Sequence, residues 1–177
     1  MDTILKTAGS LLPYHILSYG TLLGTELFQS FVNTKLCYNH LPMREFLLLQ
    51  KRVFPVYFGC QIGLAALTAA TYPPYSVVSL VKNVWSAVPL GVVIVMSSLN
   101  YFVFGPKTTT TALVRRALQG KSSESENDSA DPDDGKVHRA NKNFSRNHAM
   151  SIHLNAIALV ATVWYGFSLS STLLEGL

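Results

Sequence analysis

The chain has 177 residues, of which 49% are apolar and only 14% charged, and its formal net charge is +4. Soluble domains carry about 25% charged residues, and the deficit here is concentrated in four apolar runs near Leu11–Val32, Val53–Tyr72, Val84–Phe104 and Ala149–Ser170. This leaves too little chain for a sizeable soluble domain. It also argues against a basic nucleic-acid binder, because the cations flank apolar runs and track one face.

Each run holds the roughly 20 residues that a helix needs to cross a hydrocarbon core of about 30 Å. The expected fold is therefore all-α, a four-helix transmembrane bundle forming a single domain over residues 1–177. The cations orient it. The first loop holds Lys35, Arg44, Lys51 and Arg52, and the third holds Lys107, Arg115, Arg116, Lys121, Lys136, Arg139, Lys142 and Arg146. These are twelve of the fourteen Lys and Arg, and only Lys6 and Lys82 fall on the other side. The positive-inside rule puts loops one and three in the cytosol and both termini on the lumenal or extracellular side. The first run exceeds the h-region of a signal peptide, and neither end carries a lipidation box. A multi-pass protein of an endomembrane (ER or related) is expected, with the mitochondrial outer and plasma membranes as alternatives. The sequons at Asn127 and Asn143 then face the cytosol and stay unmodified. Cys37 and Cys60 fall near the same face, where thiols stay reduced.

In chain order, the first span opens on Pro13, which is tolerated in a first helical turn, and contains Gly20-x-x-x-Gly24. The second contains Gly59-x-x-x-Gly63. Small residues four apart make a flat groove where backbones approach closely, either within one hairpin or between two copies. Between these spans, Pro42–Arg52 reads equally as an interfacial helix or as a ramp into the second span. Pro73-Pro74-Tyr75 marks a tight turn. The third span then starts as early as Ser76, with Lys82 snorkelling to the interface. Pro89 predicts a kink, and Gly105-Pro106 predicts a clean helix end. Lys107–Leu118 reads as a short juxtamembrane helix on anionic lipid. Lys51, Arg52, Lys107, Arg115, Arg116 and Arg146 are the candidate headgroup contacts. Gly120–Asn141 is rich in Ser, Asp and Glu and is expected to be a disordered acidic cytosolic insert. Within it Ser123 and Ser125 each precede an acid by three residues and are candidate phosphosites, against the plainer reading of a solvated spacer.

Glu26 is the only acid in any span, and an intramembrane ionisable residue is by default a functional hypothesis. Gln29 and Asn33 share its helix face. On the predicted orientation Gln61, Asn100, His148, Ser151 and Asn155 fall at the same level, in the cytosolic half. This cluster is either structural, held by interhelical hydrogen bonds, or the lining of a polar cavity where Glu26 and His148 bind a headgroup or relay protons. No catalytic or metal template fits. His148 and His153 are five apart and do not share a face, and the chain has no Cys-x-x-Cys, His-Glu-x-x-His or Gly-rich phosphate loop. No catalytic residue, cofactor or metal is expected.

Several stretches resemble the transmembrane protein 205-like family. They are Gly24-Thr25-Glu26-Leu27-Phe28-Gln29-Ser30-Phe31, Phe54-Pro55-Val56-Tyr57-Phe58, Asn100 with Gly105-Pro106-Lys107-Thr108, and Phe144-Ser145-Arg146-Asn147-His148-Ala149-Met150-Ser151 with Asn155. They occur in order over nearly the whole chain. Ala149 stands where the family pattern often has Gly, and the acidic insert is longer than the family's usual third loop. The resemblance implies a four-helix integral membrane protein of eukaryotic endomembranes, with a domain of no established activity. The expected function is non-enzymatic, exercised through the bilayer, anionic headgroups or membrane partners including a second copy. The alternative is an oligomeric transporter or trafficking factor using the cluster around Glu26. An intramembrane lipid-modifying enzyme is the remote alternative.

Overall fold

The computed structural model describes residues 7–124 and 134–175, with the backbone alone at 121–124 and 134. All regular structure among them is helical. Helix α1 (Leu12–Leu27) takes Pro13 in its first turn, passes into a π-helical turn at Phe28–Asn33 and leaves it as α2 (Thr34–His40). Leu41 is extended (φ −102°, ψ 141°), as the residue before a proline prefers, and the helix stops there. Helix α3 (Met43–Ala70) then runs without interruption, so the segment beginning at Pro42 is the ramp into the second span and not a separate interfacial helix. A turn containing the cis Pro73-Pro74 bond and Ser76 at positive φ leads into α4 (Val77–Lys82) and α5 (Val84–Leu99). The third long helix thus begins at Val84, and Lys82 ends the short helix before it.

The expected stop at Gly105-Pro106 does not occur. Helix α5 enters a second π-helical turn, Asn100–Phe104, and continues as α6 (Gly105–Glu124). The physical reason lies in the wide turn. The Gly105 N–H bonds back to the Asn100 carbonyl, and a Cβ at Gly105 would sit 2.6 Å from that oxygen, so only glycine fits. A π turn already disturbs the regular bonding pattern, so the missing N–H of Pro106 removes less here than inside an α-helix. Lys107–Leu118 is accordingly part of the third helical unit. Helix α7 (Asp134–Glu175) has 42 residues, about 60 Å of helix and twice a hydrocarbon core. It includes residues 134–141, which the composition assigned to a disordered insert. Those residues lie beside α6, where Ala112 and Ala140 are buried and the Arg115 guanidinium lies 5.1 Å from the Phe144 ring centroid. A segment with little apolar surface can stay helical when it docks on a neighbouring helix. Ser123 is on α6, and Ser125 lies outside the described residues.

The units pack in sequence order around a ring: α1 on α3, α3 on α5, α5 on α7, and α7 back on α1. The pattern is inside-out. Leu17, Trp85, Phe102, Val160 and Phe167 face outward, each at least 67% exposed, while His15, Glu26, Gln61 and Asn100 are at most 1% exposed. Apolar residues outside and hydrogen-bonding residues between helices are what a lipid solvent selects. Three helices, Met43–Ala70, Val84–Gly120 and Gly135–Glu175, are long and apolar enough to cross a membrane. The first unit, residues 12–40, is also about 40 Å long, and it carries the buried polar side chains of His15, Ser18, Glu26 and Gln29.

Glycines do not hold the first hairpin. Gly20, Gly24 and Gly63 are exposed, with nothing within 4 Å of where a Cβ would be, and Gly59 meets the Tyr101 ring of the third unit. The α1–α3 contact uses polar pairs instead, and these need side-chain reach, which leaves Gly20, Gly24 and Gly63 facing outward.

Candidate functional site

The bundle interior has three polar levels. At the first, His15 is fully buried. Its Nδ1 lies 2.9 Å from the Thr68 carbonyl, which only accepts, so Nδ1 carries the proton. Nε2 accepts from the Tyr165 hydroxyl at 2.7 Å. Ser18 and Thr71 add bonds on one side. Across the bundle, Asn83 Nδ2 donates to the Tyr72 hydroxyl at 3.0 Å, and Ser86 and Ser168 lie 2.9 Å apart. Leu22, Ala65 and Val93 close this level off with an apolar layer.

One turn further, Glu26 Oε1 accepts from Gln61 Nε2 at 2.6 Å and from Thr162 Oγ1 at 3.1 Å. Glu26 Oε2, Gln61 Oε1 and Ser97 Oγ are buried without a partner. At the third level Asn155 joins three helices. It accepts from the Tyr57 hydroxyl at 2.8 Å and donates to Ser30 Oγ at 2.9 Å. Asn100 Nδ2 donates to the Ser151 carbonyl at 3.1 Å, and Asn100 Oδ1 has no partner. Gln29 and Asn33 bond to each other at 2.7 Å within the first π turn, and Cys37 donates to Asn33.

Below this third level a cleft of about 430 Å³ opens between the first π turn, the start of α2, the N-terminal half of α3, the start of α6 and the middle of α7. Its walls are chiefly apolar, with Phe31, Phe46, Phe54, Leu113, Ile152 and Leu159 among them. Gln29, Ser30, Tyr57, Ser151 and Asn155 supply polar groups, and Lys51 and His148 also line it. Gln50 lines it too, 5% exposed, with neither amide atom hydrogen-bonded. His148 stacks on Phe144, ring centroids 5.3 Å apart.

The eight polar residues expected at one level are thus divided. Glu26 and Gln61 are joined, while Gln29, Ser151, Asn155 and His148 belong to the cleft, and Glu26 does not line it. His148 lies fourteen residues before Thr162, the hydroxyl that reaches Glu26, or about 20 Å along the helix. Of the basic residues, Lys51 lines the cleft and Arg115 stacks on Phe144. Lys107 lies 6.0 Å from the Phe104 ring centroid, and Arg52, Arg116 and Arg146 are exposed. The structure adds the His15 level, Tyr57, Thr162 and Ser97 to the residues expected from the sequence. One signal was available: His15, Ser18, Leu22, Glu26 and Gln29 are spaced three or four apart, so they form one stripe on the first helix, and all five are buried.

A family profile described as "Domain of unknown function (DUF4149)" matches residues 17–117, from α1 into α6. The chain belongs to this family. A second comparison agrees: transmembrane protein 205 of Danio rerio is 29% identical over 109 residues, 59% of this chain and 57% of that protein. Xanthocillin biosynthesis cluster protein D of Aspergillus fumigatus is 58% identical over 177 residues, the full length of both chains. No solved structure matches. Within this transmembrane protein 205-like family, the profile covers Glu26, Gln61 and Ser97 and the walls of the cleft from the first π turn, α2, α3 and α6. The α7 wall, from Phe144 to Leu159, lies beyond it.

Proposed function

We propose that this DUF4149 protein crosses the membrane four times and holds a membrane lipid in the cleft at its basic end, without catalysing a reaction. The carrying observation is the cleft itself. Its aromatic and aliphatic walls suit acyl chains, its half-buried Ser30–Asn155–Tyr57 chain and unpartnered Gln50 offer polar groups, and Lys51 supplies a cation for a phosphate. With loops one and three in the cytosol, as their cations favour, the cleft opens toward the cytosolic leaflet. An endomembrane is the proposed location. The Aspergillus fumigatus relative is named for a biosynthesis cluster, which supports a role beside small-molecule synthesis.

Photoactivatable phosphatidylserine in nanodiscs tests the reading. Crosslinks should concentrate on peptides covering Phe46–Phe58 and Ser151–Leu159. Labelling spread evenly over outward residues such as Leu17 and Val160 would refute it.

A second reading, an oligomeric transporter, is favoured by the carboxylate of Glu26 buried in the bundle interior. Flux into liposomes containing the protein is its test.

A further inference from the structure

The Glu26 level, together with Asn100 about one turn below it, holds more oxygens than hydrogen-bond donors. Four buried oxygens from three helices have no partner: Glu26 Oε2, Gln61 Oε1, Ser97 Oγ and Asn100 Oδ1. Their residues are at most 1% exposed. Register brings them around one axis. Leu22, Ala65 and Val93 form a single packed layer, and one helical turn onward from each lie Glu26, Gln61 and Ser97. Asn100 follows Ser97 on the same face. The fourth helix presents Ala158 here, fully buried and too small to fill the centre, with Thr162 bonded to the carboxylate.

The charge is also unmatched. None of the four apolar runs contains Lys or Arg, and Glu26 bonds only to an amide and a hydroxyl. Of the four unpartnered oxygens only Ser97 carries a proton to donate, while the other three are acceptors. With Glu26 ionised, the set is rich in acceptors and bears one negative charge, which a cation bound there would balance. We propose that Glu26, Gln61, Ser97 and Asn100 form an intramembrane site for sodium ion.

The donor chemistry selects the ion. An all-oxygen set suits a hard cation and excludes the softer metals that take imidazole or thiolate. One carboxylate among three neutral oxygens balances a single charge, whereas calcium takes six to eight oxygens with more carboxylate among them. A carboxylate in a dry interior is a strong-field ligand and favours the smaller alkali ion. The backbone changes pitch at the same depth. One π turn starts at Phe28, two residues past Glu26, and the other at Asn100 itself. Such turns occur frequently at functional sites, and irregular helices near the midplane are where sodium-coupled transporters hold their ion.

The test uses the full-length protein in detergent, with thermal unfolding followed in sodium, potassium and choline chloride at equal ionic strength. Sodium should raise the midpoint saturably, potassium less and choline not at all. Glu26→Gln should abolish the difference between salts. Because that variant could fold poorly, Ser97→Ala provides the second arm. Ser97 Oγ has no partner, so its loss should leave the choline midpoint intact or higher while sodium affinity falls about tenfold. Identical midpoints in the three salts would overturn the proposal, as would an unchanged sodium response in Ser97→Ala; a water-filled site gives the first of these results. Neither Glu26 nor Ser97 lines the cleft, so failure here leaves the lipid reading standing.

Discussion

Tyr165 and His15, 150 residues apart, share a 2.7 Å hydrogen bond at the centre of the bundle. Because the other ring nitrogen is committed to the Thr68 carbonyl, the imidazole ties α1 to both α3 and α7. Tyr165→Phe keeps the ring and removes the bond. Interhelical bonds in lipid average well under their vacuum strength, so a loss of about 1 kcal/mol is expected in reversible unfolding in mixed micelles. His15→Leu, which leaves the Tyr165 hydroxyl without this partner, should cost more. Equal stability of the three proteins would show that the network contributes nothing.

Gly166 packs against the hydroxyl of Tyr19, and a Cβ there would occupy the same space. Gly166→Ala should destabilise the bundle by about 1–3 kcal/mol through overpacking. Adding Tyr19→Phe removes the clashing atom, so the double variant should recover most of the loss. A double-mutant cycle with no coupling would contradict the packing described.

Gly105→Ala tests the second π turn. Its Cβ would meet the Asn100 carbonyl, and the expected cost is again about 1–3 kcal/mol. Amide exchange around Asn100 should accelerate as the turn opens. By contrast Gly20→Ala, Gly24→Ala and Gly63→Ala meet open space and should change monomer stability by less than about 0.5 kcal/mol. A large effect of any of these three, growing with protein concentration, would mark a contact between copies.

Asn155 holds Tyr57 and Ser30 at the head of the cleft. Asn155→Leu should lower photolipid labelling of the cleft several-fold while leaving sodium-dependent stabilisation intact. Loss of both properties would mean that the cleft and the Glu26 level are a single site.

Much of this was legible beforehand. The apolar runs specify helices, three of them long and apolar enough to cross a membrane, because hydrocarbon demands internally bonded backbone. Glu26 was conspicuous because it is the only acid in those runs. What was not legible has a common cause. Composition assigned 134–141 to a loop, since nothing local in Gly135–Asn141 shows that α6 will lie beside it. Glycine spacing suggested a hairpin groove, but spacing does not reveal which face of a helix turns inward. His148 was placed beside Glu26 because both are polar and near one end of a span, whereas a helix as long as α7 separates them by several turns.

The sequence by itself determined that the protein is a helical membrane protein, with its cations gathered at one end, because these follow from hydropathy and charge along each segment. Only the tertiary structure decided which polar side chains meet. It paired Glu26 with Gln61 and Thr162, assigned His15 to Tyr165, turned Gly20, Gly24 and Gly63 outward and left Glu26 Oε2, Gln61 Oε1, Ser97 Oγ and Asn100 Oδ1 without donors. Those outcomes depend on helix rotation and register, which are set by the packing of all four helices at once.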